Sequence, residues 1–159
     1  MAINLKGLPW VVPVRVAQAV FALIVLALTA YVISWSGDDG SSDAVNFMLF
    51  NGVWTLFIAT PYLALAPVFF PNLTDQFIVL VAEALTMIFW FAGFIALAAF
   101  LPASGWCSKF GPCRSLQAAT VFGAFEWALF AATTGVVVAN LIRSGGRTKQ
   151  QSSAQQVEV

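Results

Sequence analysis

The sequence predicts an all-α integral membrane protein, a four-transmembrane-helix bundle with both termini in the cytoplasm. Three observations carry that prediction. Hydrophobic residues make up 60% of the 159-residue chain and charged residues only 9%, about a third of the charged fraction usual in a soluble domain. Four separate apolar runs each reach the roughly 20 residues that a spanning helix needs. The few basic residues are divided unevenly between the connections, and such asymmetry sets orientation in a bilayer. A chain of this length is one domain by the usual prior. Its formal net charge of zero offers no electrostatic ground for nucleic-acid binding.

Residues 1–13 form a cytoplasmic or interfacial N-terminal segment, and the transmembrane domain occupies 14–142. Its first helix covers about 14–35. That run is too long for the core of a signal peptide and no small-residue cleavage site follows it, so it is read as uncleaved. The second, about 45–66, begins after the polar acidic loop SGDDGSSD, a turn by its Gly and Ser content. The third, about 77–101, is separated from the second by PVFFPNLTDQ, whose prolines stop a helix because they lack an amide proton. The fourth covers about 116–142. The tail, RSGGRTKQQSSAQQVEV, has nothing to bury and is expected to be disordered over 143–159. Helices are favoured over strands because barrel strands would be about half as long and every backbone polar group must be satisfied within lipid.

An even number of spans puts both termini on one side, with Lys6, Arg15, Arg143, Arg147 and Lys149; only Lys109 and Arg114 lie opposite. That excess places the termini in the cytoplasm. The sequon Asn72-Leu73-Thr74 then lies on the cytoplasmic side and should stay unglycosylated. The third loop, PASGWCSKFGPCRS, holds the only two cysteines, Cys107 and Cys113. Facing an oxidising compartment they favour a small disulfide ring; two free thiols are the alternative. Neither cysteine is left for cytoplasmic palmitoylation.

Buried polar residues are the candidate functional feature. Glu126, Thr133 and Asn140 recur every seven residues, a spacing that keeps them on one face of the fourth helix. Arg15, Gln18, Ala22, Val25 and Thr29 line up on the first helix, Asn51, Thr55 and Tyr62 on the second, and Glu83, Thr86, Trp90 and Gly93 on the third. Lipid cannot satisfy such groups, so they should face the bundle interior. Arg15, Gln18, Asn51, Glu83, Glu126, Thr133 and Asn140 form the predicted intramembrane network. By helical rise, Glu83 lies on the order of 10 Å inside its span and Glu126 roughly 24 Å from the same side. The two acids are therefore too far apart to share a proton. Arg15 is within reach of Glu83. Glu126 has no cation at its level and is expected to be neutral, donating to Asn51, because burial disfavours the charged form.

On another face of the fourth helix Ala124, Ala128, Ala131, Gly135 and Ala139 follow one another at three or four residues, the small-residue spacing that lets helix backbones approach closely. This stripe is the predicted packing or assembly surface. Aromatic residues are 14% of the chain; Trp10, Trp35, Trp106 and Tyr62 fall near span ends, where headgroups accommodate an amphipathic ring. Trp54, Trp90, Trp127 and the phenylalanines within the spans are read as packing, with some available to lipid or sterol rings.

No histidine, metal-ligand cluster, phosphate-binding glycine loop or nucleophile with a recognisable base is present, so neither enzyme activity, metal nor cofactor is predicted. A proton or cation path along the polar seam is a competing reading, although the spans show no internal repeat and only Pro61 interrupts one of them.

A basic residue and a glutamine opening the first span (RVAQAVFALIVLAL), an acid early in the third (EALTMIFWFAGFIALAA) and a cysteine-basic start to the fourth (CRSLQAATVFGAFEWALF) resemble the MARVEL-domain membrane proteins. The likeness covers nearly the whole chain and is nearest the small fungal type similar to the non-classical export protein family. It implies a four-helix membrane domain associated with membrane apposition, vesicle traffic and the organisation of plasma-membrane microdomains. The combined reading is a non-enzymatic membrane-organising protein of the plasma membrane or secretory pathway, acting by lateral assembly and lipid contact. Its expected partners are membrane lipids, sterol among them, and either further copies of itself or another membrane protein. An accessory subunit of a larger membrane complex and a conducting or transport protein are the alternatives.

Overall fold

The computed structural model describes residues 11–37, 41–63, 76–101 and 111–157. Helix α1, Val11–Ser36, begins three residues before the expected start. Pro13 sits in its first turn, where an amide would have no intrahelical partner anyway. The helix gives way to Gly37 at φ 56°, the left-handed position that glycine adopts without a Cβ penalty. Helix α2, Asp43–Trp54, opens with the Ser42 carbonyl accepting from the amides of Val45 and Asn46, and Asp43 in the first turn favours the positive end of the helix dipole. It runs directly into a π turn at Thr55–Ala59 and on to Leu63, so that Asp43–Leu63 is one span. The Thr60 amide bonds the Thr55 carbonyl in this wider turn, immediately before Pro61, which has no amide for the carbonyl four residues back.

Helix α3 covers Gln76–Phe100 and helix α4 Gly111–Val157. The fourth helix departs from expectation at both ends. It starts five residues early, taking Cys113 and Arg114 into its first turn, and it continues past Ile142. The disordered tail expected from 143 is therefore not what the backbone adopts; it is helical to Val157. At 47 residues the helix is about 70 Å long, and the part apolar enough to cross a bilayer is Gly111–Arg143.

The four helices form an up-down-up-down ring in which α1 packs on α2 and α4, and α3 on α2 and α4. Ala22, Val25, Val45, Met48, Trp90, Leu97, Ala119 and Phe130 fill its axis. Outside, Val16, Leu23, Phe57, Ile88, Ile95 and Val121 are exposed, as lipid contact requires. Close approach depends on three glycines. A Cβ on Gly52 would lie 3.1 Å from Leu26 Cβ and 3.2 Å from the Ala22 carbonyl oxygen; one on Gly93 would meet Asn51 Nδ2 at 2.5 Å and Met48 Sδ at 2.7 Å; one on Gly123 would meet Met48 Cε at 2.7 Å.

Candidate functional site: two polar layers in the bundle

The buried polar side chains fall into two layers along the bundle axis. The first is built on Glu83 of α3, which is fully buried. The Arg15 guanidinium of α1 forms an ion pair with its Oε1, and Thr133 Oγ1 of α4 donates to its Oε2 at 2.8 Å. Arg15 Nη1 also donates to Gln18 Oε1, 2.9 Å away and one turn along the same helix. Three helices therefore meet on one carboxylate whose oxygens are both engaged. Arg15 Nε and Gln18 Nε2 have no partner among the described residues, which leaves this layer with spare donors.

The second layer contains Glu126 of α4 and Asn51 of α2. Met48 of α2 abuts Gly123 of α4. The two helices run in the same direction, so three residues further along each, Asn51 and Glu126 come to the same depth on opposite sides of the bundle. Both are fully buried. Asn51 Nδ2 donates to the Phe89 carbonyl oxygen at 2.8 Å, whereas Asn51 Oδ1 and both carboxyl oxygens of Glu126 have no partner among the described residues. This layer has spare acceptors. The expected bond from Glu126 to Asn51 is thus not formed in this arrangement.

Between and beside the layers, two indoles tie α2 to α3. Trp54 Nε1 donates to Thr86 Oγ1 at 3.1 Å, and Thr86 in turn donates to the Ala82 carbonyl at 2.8 Å. Trp90 Nε1 donates to Thr55 Oγ1 at 3.0 Å. Trp90 was aligned with the polar face of its span, but reading Trp54 as packing missed its bond. The available signal was chemical: an indole N–H deep in an apolar span must find an acceptor, and both helices offered a threonine.

Of the predicted network, Gln18, Asn51, Glu83, Glu126 and Thr133 are buried, and Arg15 keeps 13% of its side chain exposed. Asn140 is half-buried and makes no side-chain hydrogen bond among the described residues. The heptad seam on α4 is therefore not one network. Seven residues of helix rise about 10 Å, so Glu126, Thr133 and Asn140 meet different neighbours. Along the small stripe, Ala128, Gly135 and Ala139 are exposed, and Ala124 and Ala131 are half-buried. Nothing lies within 4 Å of a Cβ placed on Gly135. Cys113 is not a free thiol; Cys107, Trp10, Trp106 and the Asn72 sequon lie outside the described residues. The described residues contain no group of three His, Cys, Asp or Glu that could hold a metal ion.

Four apolar helices closed around layered polar contacts, with an apolar exterior, define a tetraspan integral membrane domain. Residues 9–136 match the family described as MARVEL, Membrane-associating domain, and the chain belongs to that family. The resemblance read from the spaced polar residues is thereby borne out at the level of the family. No curated protein and no solved structure matches the chain.

Proposed function

We propose that this MARVEL protein organises membrane by lateral assembly and lipid contact, without turnover, in plasma-membrane microdomains or vesicle traffic. One observation carries the reading: the bundle's glycines divide into two kinds. Gly52, Gly93 and Gly123 are consumed by packing inside the chain, whereas Gly135 stands in open space on the stripe of Ala128 and Ala139. A small-residue groove left unused by the bundle suits a neighbouring helix in lipid, where association depends on close packing and not on hydrophobic drive. Aromatic seams flank it, Phe21 against Phe122 at 5.4 Å and Phe125 at 6.1 Å, and Phe91 against Trp127 at 5.7 Å between ring centroids, and their outer rings, Phe91 and Phe125, are exposed to lipid and to sterol.

In this reading the groove takes a second copy of the chain or another membrane protein, the termini are cytoplasmic by the charge asymmetry, and Cys107 pairs with Cys113 on the opposite side. The spaced polar residues ally the chain with the small fungal members similar to the non-classical export proteins. Replacing Ala128 and Gly135 with Leu and following oligomer size by blue-native electrophoresis, together with the membrane distribution of a fluorescent fusion, tests it. The variant should insert normally, run smaller and lose its clustered pattern. Unchanged oligomer size and clustering would remove the groove from the proposal.

A further inference from the structure

We propose that the Glu126 layer is a proton-binding site sealed inside the bundle, and that the bound proton is donated across the bundle axis to Asn51 Oδ1. The argument starts from an imbalance. The layer presents three buried oxygens without side-chain partners, Oε1 and Oε2 of Glu126 and Oδ1 of Asn51, and no spare side-chain donor: the Asn51 amide is committed to the Phe89 carbonyl, and the Ala22 backbone N–H that approaches the Glu126 carboxyl belongs to the ladder of α1. Acceptors alone cannot satisfy one another. A single proton on the carboxyl turns one acceptor into a donor, and the nearest unfilled acceptor by depth is Asn51 Oδ1, facing it from the opposite helix. In the proposed protonated state this bond links α2 to α4.

No other group competes for that role. The titratable and charged side chains on the neighbouring elements lie elsewhere along the axis. Arg15 of α1 and Glu83 of α3 are paired in the other layer, with Glu83 six residues, or about 9 Å, from Phe89. Tyr31 of α1 is at the far end, where its hydroxyl lies 3.4 Å from a Cβ placed on Gly111. Asp43 and Tyr62 are eight and eleven residues from Asn51 on its own helix, about 12 Å or more. Water is excluded from both directions: Trp90 and Phe130 close the side toward Arg15, and Val25, Val45, Leu97 and Ala119 close the side toward Cys113, all at most 2% exposed. A carboxylate stranded there would be unpaired charge in an apolar interior, the costliest state available to it. Release of the proton therefore requires one of the two apolar plugs to open. The same plugs separate the two acids, so the site holds a proton without conducting it.

The chain has three glutamates, Glu83, Glu126 and Glu158, which makes the site directly observable. The full-length protein, labelled with carboxyl-¹³C glutamate and reconstituted in phosphatidylcholine nanodiscs at neutral pH, is examined by infrared spectroscopy for isotope-shifted carboxyl bands. One isotope-shifted protonated-carboxyl C=O stretch is expected, lost in Glu126→Gln. Asn51→Leu should move the band upward, since the acid loses its acceptor. Only carboxylate bands in the wild type would overturn the site, with no variant needed. A protonated band indifferent to Asn51→Leu would overturn the cross-bundle bond.

Discussion

The two acids of the bundle occupy the same kind of space and are treated in opposite ways. Glu83 and Glu126 are equally buried, yet Glu83 receives a guanidinium and a hydroxyl from two other helices while Glu126 receives no side-chain donor. Their positions on the helices explain the difference. Arg15 stands near the start of α1, where a long cationic side chain can keep part of itself exposed and still reach inward. At the depth of Glu126 no such side chain exists, because a cation in mid-span would have to be stranded there as well. What lies beside the Glu126 layer instead is Gly93 and Gly123, which bring the helices so close that Met48 and Asn51 fill the space. One layer is held together by charge, the other by proximity.

Breaking the charge should have the largest effect. Arg15→Leu leaves the Glu83 carboxylate buried with Thr133 as its sole partner, and removal of one member of a buried pair costs about 3 kcal/mol. Thermal or denaturant unfolding in detergent should show that loss. Arg15→Met combined with Glu83→Met should recover most of it, since the penalty belongs to the stranded charge and not to the absent bond. A double variant as unstable as the single would mean that the layer is held by packing.

Proximity comes next. Gly93→Ala places a Cβ 2.5 Å from Asn51 Nδ2 and 2.7 Å from Met48 Sδ, so both must shift, with an expected cost of about 1–3 kcal/mol. Gly135→Ala meets nothing and should cost the isolated chain no stability, gaining up to about 1 kcal/mol from helix propensity. Equal losses at the two sites would erase the distinction between internal and lateral glycines, and with it the main support for assembly through α4.

That distinction was only half legible in the sequence. The four spans were plain because length and apolarity alone decide them, and Arg15 with Glu83 followed because a cation just inside the first span had one acid within reach at its depth. The small stripe was visible as spacing, but spacing cannot say which small residues the chain uses for itself; Gly123 and Gly135 look alike until Met48 is placed against one of them. The bond of the Asn51 amide was hidden for a related reason. Its acceptor is the Phe89 backbone carbonyl, a group every residue carries, so no side-chain pattern advertises it. The π turn was hidden too, since Pro61 announces a missing amide but not how the helix compensates.

The smallest expected effect is the most informative about the Glu126 layer. Glu126→Gln should unfold within about 0.6 kcal/mol of the wild type, the average for a hydrogen bond between membrane helices, because an amide can donate to Asn51 Oδ1 as a protonated acid does. Glu126→Leu separates two states of the layer by sign. If the acid donates across the bundle, leucine removes that bond and leaves Asn51 Oδ1 alone, so stability falls by about the same 0.6 kcal/mol. If the carboxyl has no partner at all, leucine relieves a buried polar group of similar length and stability rises. Equilibrium unfolding of the two variants side by side, in the same detergent, reads that sign directly. Pairing each with Asn51→Leu then closes a double-mutant cycle in which a coupling near zero would show that the two residues share a depth but not a bond.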